Sequence, residues 1–213
     1  MNSTPCPLCS SGDTQHIYTD ACRPYRQCSV CRLVFVPKEH HLSADDEKRH
    51  YDQHENSPED VAYRRFLNRL FEPLQRRLAD GSSGLDYGSG PGPTLSVMLS
   101  EVGHRVRIYD PYYAPDRGPL SAAYDFVTAS EVVEHFCRPA DDLAVMWNCV
   151  KTGGLLGIMT RQTPDLTAFP QWHYKNDPTH VSFFARETFE WLAARWGANL
   201  QLESSDVVIF QKV

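Results

Sequence analysis

From Gly81 to Gln211 the chain alternates short β-prone runs with longer segments of helical period. That alternation, more than any single residue, restricts what it can fold into. Strands are expected at Leu85–Tyr87, Arg105–Asp110, Tyr124–Ala129 and Leu155–Thr160. Helices fall between them, at about Thr94–Val102, Pro139–Val150 and Arg186–Trp196, with Lys151–Gly154 as a turn. Leu200–Glu203 and Val207–Gln211 read as a closing antiparallel pair around Ser204-Ser-Asp206. Strands separated by helices imply a parallel α/β sheet, with a ligand at the carboxyl ends of its strands.

The turn after the first of these strands, Asp86-Tyr-Gly88-Ser-Gly90-Pro-Gly92, narrows the ligand. A dinucleotide loop wants Gly-x-Gly-x-x-Gly, with a pyrophosphate on helix amides. Here the third glycine comes one residue early, and Pro91 and Pro93 remove two amides that a phosphate would use. The loop suits a ligand that needs close backbone approach but brings no phosphate there. Asp110 ends the next strand, where an acid can accept both hydroxyls of a ribose; as a residue before Pro111 it also fits a turn.

The first 40 residues are organised differently. Cys6/Cys9 and Cys28/Cys31 form two Cys-x-x-Cys pairs with 18 residues between them, the spacing of a four-cysteine zinc site. Each two-residue gap lets both thiolates of a knuckle point at one tetrahedral ion, and four protein ligands leave no open position. The expected metal is therefore a structural zinc. A redox pair would need only one such motif, near a βαβ unit. A stretch this short has too small a core to stand alone, so the ion should supply much of its stability. Cys22 and His16 read as spare groups, and Cys137 and Cys149 as buried small residues.

Residues 41–80 form a polar connector with some helix, then a helix that packs on the α/β part. Ser57 is the expected cap of that helix, Pro58 lies in its first turn, and Tyr63, Leu67, Leu70, Leu74 and Leu78 line one face, with Pro73 a kink. Residues 1–40, 41–80 and 81–213 are thus the expected domains: ribbon, connector and cofactor-binding domain. With 213 residues, 41% apolar and 23% charged, the chain is globular. No apolar run reaches membrane-spanning length, and the N-terminus lacks the pattern of a secretion signal, so a cytoplasmic protein without membrane attachment is expected. A net charge of −6 argues against an electrostatic nucleic-acid binder.

Taken together, Gly84-Leu-Asp-Tyr-Gly-Ser-Gly-Pro-Gly92, Asp110, Tyr124-Asp-Phe-Val-Thr-Ala-Ser-Glu-Val-Val-Glu-His135 and Val150-Lys-Thr-Gly-Gly-Leu-Leu156 resemble the class I S-adenosylmethionine-dependent methyltransferases. The chain is similar to the subgroup with an N-terminal cysteine-rich ribbon and a Trp172-His-Tyr174…Asp177-Pro-Thr-His180 stretch. The resemblance implies a Rossmann-like sheet with an antiparallel C-terminal strand, preceded here by the small zinc ribbon, and S-adenosylmethionine as cofactor. It places Gly88, Gly90 and Gly92 along the methionine and ribose, Asp86 at the methionyl end, Asp110 on the ribose hydroxyls, and Ser130 and Glu131 beside the cofactor. The chain departs from the pattern between Asp110 and Tyr124, which is too short for the usual strand and helix. The third strand should be reduced or missing, and Tyr112 or Tyr113 could cover the adenine instead.

Methyl transfer from a sulfonium is an in-line displacement, so the protein must align the acceptor and, for an oxygen or nitrogen, take its proton. Candidates at strand ends are Glu134 and His135, with His173 and His180 in the long Arg161–Phe184 loop, a lid or substrate wall. Each histidine could equally be a structural hydrogen-bonder. A metal on His173, Asp177 and His180 matches no compact ligand motif. Arg161 could hold an anionic acceptor or lie on the surface. A small-molecule acceptor is the leading expectation. RNA methylation through the ribbon is the alternative, yet residues 1–40 hold four basic against three acidic side chains, no RNA footprint. A cofactor-binding protein without turnover is the non-enzymatic alternative.

Overall fold

The computed structural model describes residues 4–53 and 56–213. Two sheets share one body. The smaller has strand order β1 (Thr14–Thr19), β2 (Pro24–Cys28), β3 (Val34–Phe35) and β8 (Ser182–Phe183), all antiparallel. Its last strand comes from the distant Arg161–Phe184 loop, with Val34 opposite Phe183 and Phe35 opposite Ser182.

The larger sheet runs β5 (Arg105–Tyr109), β4 (Ser83–Tyr87), β6 (Tyr124–Ser130), β7 (Val150–Met159), β10 (Val207–Gln211), β9 (Asn199–Leu202). The first four strands are parallel, and β10 lies antiparallel between β7 and β9. This is the expected Rossmann-like sheet with its antiparallel C-terminal strand. The reduced third strand also holds: Asp110 to Tyr124 contains a short 3-10 turn, Gly118–Ser121, and β5 is left as the sheet edge. The expected turn at Lys151–Gly154 is instead the start of β7, where the register with β6 shifts between Tyr124 and Phe126.

Helices cover both faces, as a largely parallel sheet requires. On one side α2 (Val61–Gln75) and α3 (Thr94–Glu101) bury Leu67, Leu70, Leu74, Leu95 and Leu99 against Phe126, Leu155 and Ile209. On the other, α4 (Pro139–Asn148) and α5 (Arg186–Trp196) place Leu143, Met146, Phe189 and Leu192 over Val127, Ile158 and Phe210. Cys6, Leu8, Cys28, Cys31, Leu33 and Phe35 belong to this same apolar cluster. The cap of α2 is Asp60, whose carboxylate accepts from the amides of Ala62 and Tyr63; Ser57, the expected cap, lies outside the helix. The helix ends at Gln75, two residues past Pro73 and short of Leu78. A shorter helix, α1 (Ala44–Tyr51), is capped by Ser43, carries no buried residue and sits over the carboxyl ends of the sheet strands.

Candidate functional site

A cavity of about 550 Å³, within the range of ligand pockets, opens at those strand ends. Its floor is the glycine-rich turn. Gly88 has φ +74°, and a Cβ there would meet Val132 at 2.5 Å. A Cβ on Gly92 would lie 1.9 Å from the Asn56 carbonyl oxygen, so only glycine lets the two backbones meet. The Gly88 amide donates to the Tyr109 carbonyl at 2.7 Å, tying the turn to β5.

Asp110 does more local work than the sequence suggests. Its Oδ2 accepts from the Gly90 amide at 2.9 Å, and its Oδ1 from the Tyr112 and Tyr113 amides at 2.8 and 2.9 Å. An ionised carboxylate has about four lone-pair positions, so one remains on Oδ2 for a ligand hydroxyl. Tyr112 and Tyr113 line the cavity, their hydroxyls donating to Glu47 and Asp52 at the α1 end. Asp86 is buried under the turn, accepts from the Thr128 hydroxyl at 2.8 Å, and is pushed up to about 7 by desolvation.

Ser130 and Glu131 lie where β6 leaves the sheet. Glu131 has φ +52°, in the left-handed region that costs a non-glycine residue of order 1–3 kcal/mol. Such strain persists only where its surroundings fix it. Here the Glu131 amide is held by the Met159 carbonyl at 2.7 Å, and its Oε2 lies 3.1 Å from the Tyr174 hydroxyl. Tyr174 also donates to Glu134 Oε1. The Thr160 hydroxyl lies 3.3 Å from the Tyr174 oxygen, while Glu131 Oε1 and Glu134 Oε2 are buried without a hydrogen-bond partner. Burial first, then the neighbouring Glu131 charge, pushes Glu134 up to about 8.

The structure brings His135 and His180 together, their ring centroids 4.7 Å apart, and both line the cavity with Asp177. His135 Nδ1 faces the Thr179 carbonyl at 3.3 Å and its ring packs edge-on to Tyr51. His180 Nδ1 donates to the Tyr174 carbonyl at 2.8 Å, and burial pushes its pKa down to about 4. His173 is exposed and faces Arg161 at 3.3 Å, away from the cavity. Arg161 borders a separate, more open cleft with Arg69 and Asp206, which pair with each other. Cys149 is buried as expected, whereas Cys137 is exposed beside the cavity.

The Arg161–Phe184 loop is a wall and not a free lid. Phe169, Phe183 and Phe184 are buried, and Phe169 and Phe183 pack on Tyr25 and Val34 of the small sheet. Arg23, also buried, clamps it further: Nη1 donates to the Pro178 carbonyl at 2.8 Å, and Nη2 to the Lys175 and Asp177 carbonyls at 2.7 and 2.6 Å. Sequence reasoning missed Arg23, Tyr51, Glu47 and the bridging role of Tyr174. For Glu47 and Tyr51 a signal existed: Ser43 followed by three acids marks a helix start in the polar connector.

The Sγ atoms of Cys6, Cys9, Cys28 and Cys31 lie within 4.8 Å of one another, Cys6–Cys31 at 3.5 Å and Cys9–Cys28 at 3.4 Å. The hydrogen bond between Cys6 and Cys31 lowers the first thiol and raises the second, and burial pushes Cys9 up to about 11. A soft divalent cation among four such sulfurs would remove that conflict, so the residues present fit the group.

Residues 49–204 match the model of a family described as a methyltransferase domain. The chain belongs to that family. No curated protein is matched by the sequence. Among solved structures, this methyltransferase resembles a Bacillus halodurans C-125 protein described as a methyltransferase, at 17% identity over 62% of this chain and 67% of that one, with a TM-score of 0.50. An O-methyltransferase family protein from Burkholderia thailandensis aligns at 15% identity and TM-score 0.53, over 70% of this chain but only 56% of its own. A Methanococcus maripaludis protein described as an S-adenosyl-L-methionine-dependent methyltransferase aligns at 12% identity and TM-score 0.50, over 79% and 93%. The shared fold is that of S-adenosylmethionine-dependent methyltransferases. No helix among the described residues is long and apolar enough to cross a membrane.

Proposed function

We propose that this methyltransferase transfers the methyl group of S-adenosylmethionine to a small-molecule acceptor. One observation carries the reading: a single cavity is lined both by Asp86, Gly88, Gly90, Gly92 and Asp110 and by His135, Asp177 and His180. Cofactor and acceptor would thus meet in one cavity, as an in-line displacement needs. The glycines would receive the methionine and ribose, Asp110 would accept one ribose hydroxyl through the remaining position on Oδ2 and not both as the sequence suggests, and Ser130 and Glu131 would border the sulfonium. Among the described lining residues there are six carboxylates and no Lys or Arg, a field suited to a cationic cofactor and poorly suited to a polyanionic acceptor such as RNA.

For an oxygen or nitrogen acceptor the proton would leave on the side of Glu134, His135 and His180. We assign it to His135, since His180 is held neutral as a weak base by burial. The four cysteines would hold a structural zinc. On this reading the ribbon is an accessory wall: it pairs with β8 and, through Arg23, holds the segment that carries Asp177 and His180.

Calorimetry with S-adenosylmethionine tests the cofactor end. Asp110→Asn should weaken binding by roughly 10–100-fold, the loss of a charged acceptor worth about 1.5–3 kcal/mol. Unchanged affinity would remove Asp110 from the site, and tighter binding of NAD than of S-adenosylmethionine would overturn the reading.

A further inference from the structure

Glu134, His135 and His180 offer one carboxylate oxygen and one nitrogen from each ring, all within 4.8 Å of one another. Both imidazoles present Nδ1 to a backbone carbonyl, His135 to Thr179 at 3.3 Å and His180 to Tyr174 at 2.8 Å. A carbonyl only accepts, so each Nδ1 carries a hydrogen, and an ion would be taken by Nε2. Metal-binding histidines are oriented by this kind of outer hydrogen bond. Glu134 supplies an independent sign. It is fully buried, Tyr174 occupies its Oε1, and its Oε2 has no hydrogen-bond partner. A buried oxygen left in that state costs roughly 1–3 kcal/mol unless a cation or a proton takes it.

We propose that Glu134, His135 and His180 form a second metal site, for a divalent first-row transition ion such as Zn²⁺ or Mn²⁺. Two imidazoles and one carboxylate match the ligand preference of these ions, whereas Mg²⁺ and Ca²⁺ prefer oxygen alone. Three protein ligands leave an open position, and both histidines line the cavity, so the open position would face the acceptor. Metal bonds of about 2.0–2.2 Å require ligand atoms roughly 3.3 Å apart, so the three side chains would have to draw together on the ion from their spacing of up to 4.8 Å.

The role of this ion in turnover rests on the methyl-transfer reading; its binding does not. An acceptor hydroxyl beside the ion becomes more acidic and gives its proton to solvent. The oxygen lone pair then forms the C–O bond while the sulfonium C–S bond breaks, its electron pair passing to sulfur to leave S-adenosylhomocysteine. With the ion bound, His135 is a ligand and no longer the base.

The test is metal stoichiometry on the full chain, purified without chelator, with Zn²⁺ and Co²⁺ titrations. Two equivalents are expected in the wild type and one in Glu134→Gln and His135→Gln. The thiolate charge-transfer bands of ribbon-bound Co²⁺ should be unchanged in both variants, which shows that they fold. The second equivalent of Co²⁺ in the wild type should add ligand-field bands without charge transfer. Uptake of a single equivalent, with no response to further Zn²⁺, Mn²⁺ or Co²⁺ up to about 100 µM, overturns the site. A second equivalent that persists in both variants overturns it equally. S-adenosylmethionine calorimetry on the same samples separates the two readings: a second ion without cofactor affinity would keep the site and sink methyl transfer.

Discussion

If the ribbon supports the acceptor end, cutting one side chain between them should be felt at a distance. Arg23 is that side chain. It is 6% exposed, and its guanidinium donates to the Pro178, Lys175 and Asp177 carbonyls and to the Tyr25 hydroxyl at 3.1 Å. Asp177 in turn accepts from the Thr179 amide at 2.8 Å through Oδ1, and its Oδ2 lies 3.9 Å from His180 Nε2. Arg23→Met keeps most of the apolar stem and removes every donor. Hydrogen bonds to a charged group contribute about 1.5–3 kcal/mol each, but the desolvation of the buried guanidinium, now avoided, offsets part of the loss. A net destabilisation on the order of 2–4 kcal/mol is expected. For a chain of this size that lowers the melting temperature by roughly 4–16 °C.

The kinetic signature is more specific than the melting temperature. Most residues at the proposed cofactor end come from β4, β5 and the glycine-rich turn, to which Arg23 makes no hydrogen bond, and only Glu131 meets the clamped segment, through Tyr174, so S-adenosylmethionine affinity should change less than turnover. Turnover and acceptor KM should worsen together once an acceptor is in hand, and Arg23→Lys should rescue only in part, because an ammonium cannot reproduce the planar fork. Calorimetry, thermal unfolding and steady-state kinetics on the three proteins check this. A melting temperature within about 1 °C of wild type with normal kinetics would refute the strut.

Asp86 gives a pH prediction. Its folded-state pKa is raised from 3.8 to about 7, so the stability it contributes is fully present below pH 4 and is lost as pH rises through 7. Relative to Asp86→Asn, the wild type should lose a few kcal/mol of unfolding free energy between about pH 4 and 8, measured by denaturant titration; parallel profiles would contradict a buried, desolvated carboxylate. Cys28→Ser should lose one zinc by metal analysis and, because Cys28 packs in the same cluster as Phe210 and Phe189, should broaden unfolding of the whole chain and not of the ribbon alone. Gly92→Ala forces a Cβ into the Asn56 carbonyl and should weaken cofactor binding at least tenfold, about 1.4 kcal/mol, by calorimetry; normal affinity would mean that the 56–60 segment yields freely.

Much of this was legible because it is local. The alternation that gave β4 to β7, the cysteine spacing and the short Asp110–Tyr124 connection are each written within a few dozen residues. The errors were local too. Ser57 lost the capping position to Asp60 because both are good caps, and only packing chooses where a helix begins. Lys151–Gly154 has turn composition, yet the sheet recruits it, since β10 and β6 flank β7 and tertiary pairing outweighs propensity.

The proposed acceptor end is different in kind. It is assembled from α1, from the turn after β6, and from the loop that ends in β8, and the ribbon fixes that loop in place. No periodicity links Tyr51, His135 and His180, so their meeting cannot be read from spacing. What the sequence offered was chemistry without position: histidines and a glutamate near a strand end. The fold adds the burial that raises Glu134, the carbonyls that fix which nitrogen of each imidazole carries its hydrogen, and the orphaned Oε2. Those three facts turn a residue inventory into a site, because each constrains charge or proton position, and methyl transfer to an oxygen or nitrogen depends on both.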